Sequence, residues 1–305
     1  MSDRKNVELR GILAAVTTPF TADASAVDEE ALRRHVERLV AAGIHGIVPT
    51  GTSGEFTTLT DAEYRRVIEL YVEAVAGRIP VIAGIGALST EKAISLAQHA
   101  ETVGADALML VPPFYDPLDF DALVAFLSDV AASVTLPIVY YNVPGATGLH
   151  LDAAQIASLG EIDGIDYLKS TSDDAVALGD LLINHADKIT AFNGWDTLTF
   201  FGIASGAKAS VWGAAGLVPE LAVELWETLA ERKDLDAARE QWKTLYAISA
   251  FLESVNYPAG IKAGLELIGV PAGPPRRPIQ PLSEENRQRL AQILETAGVL
   301  KPATA

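Results

Sequence analysis

The chain of 305 residues contains no cysteine. That excludes a disulfide scaffold, a thiolate nucleophile and a cysteine-ligated zinc site, and it fits a reducing compartment. Basic residues are few as well. The 23 Lys and Arg against 40 Asp and Glu give a formal net charge of −17 and a pI near 4.6. Nucleic acid and anionic membrane surfaces both require a basic footprint, so neither is expected as a partner. The five histidines are scattered, with no HxxxH spacing, so neither a metal nor a cofactor is expected. Long hydrophobic runs are missing too: no uncharged segment has the length of a membrane span. The apolar stretch 11–16 is too short, and too quickly ended by Thr17-Thr18-Pro19, to serve as a signal peptide. A soluble, cytoplasmic protein is expected.

What is present is apolar and regular. With 49% hydrophobic and 21% charged residues, the chain can fill one barrel-sized core or two smaller ones. Eight β-rich runs recur, at 12–18, 46–50, 80–86, 105–112, 137–143, 165–171, 189–195 and 208–213. Helical segments separate them, with Leu32, Val36, Leu39 and Val40 at helical spacing before Gly43 and a capping box at Thr60-Asp61-Ala62-Glu63. Further helices are expected over 119–133 and 152–159. Strands apolar on both faces, alternating with helices, demand parallel pairing and right-handed crossovers. Eight such units predict an α/β fold, a closed (β/α)8 TIM barrel. An open doubly wound sheet is the competitor, but no GxGxxG follows the first strand and Gly84-Ile85-Gly86-Ala87 does not complete one. Helices expected over 221–229, 235–255, 259–268 and 283–297, interrupted by the proline-rich stretch 271–281, form a C-terminal appendage. The division is placed at 1–232 for the barrel with its active site and 233–305 for the helical region.

Barrel active sites lie where the strands end at the C-terminal face. Lys169 occurs near the end of the sixth run, Gly164-Ile165-Asp166-Tyr167-Leu168-Lys169-Ser170-Thr171, and it is the one lysine of nine placed at a strand end. The others fall in tails or in helical and polar stretches, Lys262 among them, and Lys208 begins an apolar segment. An amine withdrawn from water is more easily held neutral and can attack a carbonyl to form a Schiff base. The segment alone also fits a lysine whose stem packs at a strand edge while its ammonium reaches water. Tyr141 ends the fifth run, and Gly51-Thr52-Ser53-Gly54-Glu55 follows the second with a tight turn, backbone N–H groups and hydroxyls suited to a carboxylate. A nucleophilic amine, a phenol and an anion cradle on one rim are the parts needed to handle a 2-oxo acid.

Gly51-Thr52-Ser53-Gly54-Glu55, Tyr141-Asn142-Val143-Pro144 and the strand-end Lys169 together resemble the dihydrodipicolinate synthase/N-acetylneuraminate lyase family of pyruvate-dependent class I aldolases. Thr18-Pro19-Phe20 and Pro112-Pro113-Phe114-Tyr115 extend the resemblance over nearly the whole chain. It implies that Lys169 forms the Schiff base with pyruvate, that Tyr141 moves protons through the Thr52 hydroxyl, and that Ser53 helps hold the pyruvate carboxylate. Tyr115 matches a tyrosine that reaches a neighbouring subunit's active site in many relatives, so a homo-oligomer, a dimer or tetramer, is implied.

Two departures bear on the substrate. Relatives that make dihydrodipicolinate usually carry, after Tyr-Asn-Val-Pro, an arginine that grips the carboxylate of aspartate semialdehyde, and Ala146 stands there instead. A hydroxyl-bearing residue of that subgroup is replaced by Phe56. Sialic-acid lyases typically offer an acidic pair after the seventh strand, where Gly194-Trp195-Asp196-Thr197 keeps one acid. The second half-site is therefore expected among Phe56, Ala146, Trp195, Asp196 and Trp212, with both tryptophans equally suited to core packing. The reading is an aldolase or lyase that cleaves or condenses a 4-hydroxy-2-oxo acid, pyruvate plus an aldehyde. Dihydrodipicolinate synthase, a 2-keto-3-deoxy-sugar-acid dehydratase and a non-catalytic 2-oxo-acid sensor are the alternatives.

Overall fold

Residues 4–300 are described by the computed structural model of the chain, so Lys301 lies outside them. The strands are β1 (Gly11–Ala15), β2 (Gly46–Val48), β3 (Ile82–Gly86), β4 (Ala107–Val111), β5 (Ile138–Asn142), β6 (Ile165–Ser170), β7 (Thr190–Asn193) and β8 (Ala209–Trp212). All pair in parallel, in the order β2-β1-β8-β7-β6-β5-β4-β3. The two ends of that order meet through a parallel bridge between Ile47 and Val81. The Ile47 N–H donates to the Pro80 carbonyl at 2.9 Å and the Gly84 N–H to the Pro49 carbonyl at 3.0 Å. The sheet thus closes into the expected (β/α)8 barrel followed by C-terminal helices.

Local chemistry sets the element ends. The helix Asp61–Val75 begins with the capping box expected at Thr60 and Glu63. Helices Phe120–Ala132 and Ala153–Leu159 start on Asp119 and Asp152, whose carboxylates accept from Ala122 and Gln155 N–H. The second strand is shorter than the expected 46–50. Pro49 has no N–H for the ladder, and Thr50 takes a φ of +53° while its hydroxyl donates to the Gly84 carbonyl at 2.8 Å. Ending β2 early turns residues 51–55 across the barrel mouth.

Alternation along the strands separates two environments. Leu13, Val48, Ile82, Met109, Val139 and Tyr141 fill the barrel interior. Ile138, Tyr140 and Leu168 face outward against helices. Because side chains alternate with period two, Lys169 points inward like Tyr167, not outward like Leu168. The helices Leu235–Glu253 and Tyr257–Leu267 follow a short π-helical turn at Glu227–Glu231. Their Leu245, Ile248, Leu252 and Ile261 share one buried core with Trp212, Leu217 and Val218 of the last barrel unit. Among the described residues no helix is long and apolar enough to cross a membrane.

Candidate active site

Tyr141 and Lys169 are register partners on β5 and β6. Adjacent in a parallel ladder and both directed inward, they bring the Lys169 Nζ to 4.1 Å from the centroid of the Tyr141 ring. Lys169 is only 6% exposed and Tyr141 5%, so water does little to screen their interaction. Burial pushes the Tyr141 phenol up, but the Lys169 charge and hydrogen bonds with Thr52, Thr171 and Lys169 outweigh it, leaving the phenol below its ordinary value. The Thr52 hydroxyl lies 3.4 Å from the phenol oxygen. The strand-end lysine is therefore a buried amine beside a phenol held below its ordinary pKa.

The loop after β2 forms the next wall. Tight turns bond the Gly54 N–H to the Gly51 carbonyl and the Glu55 N–H to the Thr52 carbonyl, each at 3.1 Å. The N–H groups of Thr52 and Ser53 take no protein acceptor among the described residues, and Ser53 is buried. Two donors and a hydroxyl at a barrel mouth can hold a carboxylate. Gly194 completes the wall behind the lysine: a Cβ there would lie 2.5 Å from the Thr171 Oγ1 and 2.6 Å from the Lys169 Cγ. Only glycine leaves room for the amine's stem.

The third wall comes from the end of β7 and from the C-terminal helices. Asp196 is buried, and its Oδ2 accepts from the Tyr257 hydroxyl and, at 3.3 Å, from the Ala214 N–H. Burial pushes its carboxyl up to about 7, helped by the charge of Glu253 and opposed by the Tyr257 hydrogen bond. Glu253 accepts from the Thr197 N–H and hydroxyl, both at 2.9 Å. Burial raises its carboxyl as well. A cavity of about 210 Å³ joins these walls; Thr52, Ser53, Tyr141, Lys169, Asp196 and Glu253 line it. Among the described residues no group of three or more His, Cys, Asp or Glu side chains is placed to hold a metal ion.

The structure thus brings together Lys169, Tyr141, Thr52, Ser53, Asp196 and Trp195 from the sequence reading. It leaves four residues apart. Tyr115 is 80% exposed in a separate concavity with Leu88 and Pro113. Ala146 is exposed on the short helix Pro144–Thr147. Phe56 packs edge-on against Phe114 and Tyr64, and the fully buried Trp212 packs at a tilt against Trp242 in the outer core. Met109, Thr171, Gly194, Glu253 and Tyr257 also line the cavity and were not anticipated. Strand parity could have found Met109, which points inward with Tyr141. Glu253 and Tyr257 follow no motif, because only the packing of two distant helices carries them in.

Lys262, read from the sequence as falling in a helical or polar stretch, does lie in a helix, Tyr257–Leu267, and is a second buried lysine. It is 2% exposed. Its Nζ lies 2.6 Å from the Glu55 Oε1, donates to the Pro274 carbonyl at 3.1 Å and sits 4.0 Å from the Phe20 ring centroid. Burial pushes its ammonium down to about 8 against the pull of Glu55. The helix Tyr257–Leu267 carries it on its inner face, where helical periodicity alone does not reveal a neighbour from another element. Paired on these sides, Lys262 does not line the cavity that holds Lys169.

Comparison with known proteins places the whole chain in one family. The pattern of the Dihydrodipicolinate synthetase family matches residues 8–297. The chain is 38% identical over 294 residues to a 4-hydroxy-tetrahydrodipicolinate synthase of Methanopyrus kandleri, covering 96% of this chain and 98% of that one. It is 40% identical over 292 residues to an uncharacterized DapA-like lyase of Halobacterium salinarum, covering 96% and 95%. The crystal structure of the chloride-inhibited dihydrodipicolinate synthase from Acinetobacter baumannii, complexed with pyruvate, matches with a TM-score of 0.92 at 31% identity, over 96% of this chain and all of that one. With the barrel and the sequence pattern both matching over nearly the full length, the chain belongs to the dihydrodipicolinate synthetase family.

Proposed function

We propose that Lys169 is the Schiff-base lysine of a pyruvate-dependent class I aldolase or lyase acting on a 4-hydroxy-2-oxo acid. The observation that carries this assignment is the register pairing of Tyr141 with Lys169 inside one enclosed cavity. The family relationship supports pyruvate, which is the molecule bound in the Acinetobacter baumannii structure.

The chemistry follows from the groups present. The Lys169 amine attacks the C2 carbonyl and loses water to give an iminium, while the Thr52 and Ser53 N–H groups and the Ser53 hydroxyl take the carboxylate. Tyr141 removes the proton from the C4 hydroxyl as the C3–C4 bond breaks. The bonding pair moves into the iminium, leaving the enamine of pyruvate and a free aldehyde. Protonation at C3 and hydrolysis return pyruvate and the amine, and the reverse sequence condenses the two. Thr52, within reach of the phenol, passes the proton onward.

Tyr115 enters this reading through a second copy of the chain. An aromatic side chain 80% exposed, beside Leu88 at 59%, suits a contact between subunits, and a homo-oligomer in which Tyr115 completes a neighbour's site is the proposed assembly. The names of the relatives favour a second reading, synthesis of 4-hydroxy-tetrahydrodipicolinate from pyruvate and aspartate semialdehyde. Borohydride reduction in the presence of pyruvate tests what both readings share. The adduct mass is expected on Lys169 by peptide mapping, and its appearance on Lys262, or no adduct at all, would overturn the assignment.

A further inference from the structure

Two residues with left-handed backbone, neither of them glycine, bracket the loop that carries the Thr52 and Ser53 N–H groups. Thr50 has a φ of +53° and Glu55 one of +54°, a region that such side chains occupy where their surroundings impose it. Each is pinned by its own side chain. The Thr50 hydroxyl donates to the Gly84 carbonyl of β3 at 2.8 Å. The Glu55 carboxylate meets the Lys262 ammonium at 2.6 Å and accepts from the Arg276 N–H at 2.7 Å. Between these two points the Thr18 hydroxyl donates to the Gly54 carbonyl at 2.7 Å, and a Cβ on Gly54 would lie 3.0 Å from the Thr50 nitrogen. Contacts to β3, to the segment after β1 and to the C-terminal region thus set the curvature of the loop. Gly51, Thr52 and Ser53 line the cavity that contains Lys169, whereas Glu55 and Lys262 stand outside it.

We infer that the buried Glu55–Lys262 pair positions the loop 51–55 as a carboxylate cradle, holding the Thr52 and Ser53 N–H groups in the geometry that receives pyruvate. This rests on the pyruvate reading above, which supplies the ligand. A fully buried ion pair adds little to stability over apolar side chains of similar volume, because desolvation offsets most of the attraction. What it adds is direction: one carboxylate oxygen faces the Lys262 amine and the other the Arg276 N–H, so the end of the loop is fixed in orientation as well as in place. Backbone donors bind an anion while successive N–H groups converge on one point, and donors fixed before the ligand arrives lose no affinity to ordering. Glu55 and Lys262 are therefore positioning residues that act through the backbone of the loop. Through them the helix Tyr257–Leu267 enters the pyruvate half of the site, whose other parts all come from the barrel.

The test compares pyruvate with acetone, which has the same ketone and a methyl group in place of the carboxylate, in borohydride trapping on Lys169 of the full-length protein. Wild-type protein is expected to favour pyruvate. Glu55→Gln should lower the ratio of the two trapping efficiencies about tenfold, through the pyruvate concentration that gives half-maximal trapping, while acetone trapping stays within about twofold of wild type. A loosened barrel would slow both ketones together. The double variant Glu55→Gln/Lys262→Met leaves neither charge buried without its partner, and it separates positioning from stability: its fold should be recovered while its preference for pyruvate stays low. Where Glu55→Gln does not fold, the double variant carries the comparison alone. A wild-type ratio in either variant, or equal losses on both ketones, would overturn the inference. Failure of the wild-type protein to form any pyruvate adduct on Lys169 would instead remove the pyruvate reading beneath it.

Discussion

Lys262 and Glu55 close an ion pair at 2.6 Å with side-chain exposures of 2% and 0%. Glu55 is the last residue of the 51–55 loop that lines the cavity, and it holds a left-handed φ of +54°. Its Oε2 also accepts from the Arg276 N–H at 2.7 Å, while the Arg276 guanidinium grips Glu63 through two bonds of 2.9 Å. Lys262 and Arg276 both rest over the Phe20 ring, at 4.0 and 4.2 Å from its centroid. The C-terminal segment therefore fastens the loop after β2.

Removing one member of that pair strands the other. Lys262→Met should destabilise the protein by about 3–5 kcal/mol, the usual consequence of an uncompensated buried charge. The double variant Glu55→Gln/Lys262→Met should recover a large part of the loss. Urea denaturation of the four proteins in the cycle measures both effects, and a single variant as stable as wild type would show the pair to be dispensable.

Tyr141→Phe deletes one hydroxyl from an otherwise retained packing position. Turnover should fall roughly a hundredfold or more, the usual worth of a positioned general acid–base. Pyruvate trapping on Lys169 should decline less than the full reaction, since iminium formation does not require cleavage of the C3–C4 bond. Wild-type turnover in the Phe variant would assign Tyr141 to packing.

Asp196 makes stability depend on pH with a definite sign. Its carboxyl is raised from an ordinary value of 3.8 to about 7, so between those limits the folded state binds a proton that the unfolded state has released. Stability must then fall as pH rises through that window. Asp196→Asn cannot ionise and should be more stable than wild type at pH 8, by about 1–3 kcal/mol, and indistinguishable from it near pH 4. Thermal melts at the two pH values decide it; a gain at pH 4 and none at pH 8 would contradict the assignment.

Aspartate semialdehyde should be a poor partner for pyruvate. Ala146 supplies no cation, no arginine among the described residues lines the cavity, and the acids Asp196 and Glu253 do line it. Loss of a bidentate charge-assisted contact is worth on the order of a hundredfold in rate. A coupled assay giving aspartate semialdehyde a higher kcat/KM than every neutral aldehyde would return the chain to 4-hydroxy-tetrahydrodipicolinate synthesis.

The sequence by itself determined the barrel and one end of its site. Eight apolar runs separated by helical segments admit few packings, because parallel strands buried on both faces need a helix after each one. Strand-end position and period-two alternation then send Tyr141 and Lys169 to the same interior. Both signals are local, and local patterns survive into the fold. Tertiary structure alone decided the other end. The same helical spacing that identifies Leu235–Glu253 and Tyr257–Leu267 reports which face each helix buries, and it does not report what meets that face. The sequence therefore carried no sign of Glu253 in the site, and it placed Lys262 only in a helical or polar stretch. Docking of these helices against the last barrel unit placed Glu253 beside Asp196 and Lys262 against Glu55, where desolvation and proximity give the charges their consequences.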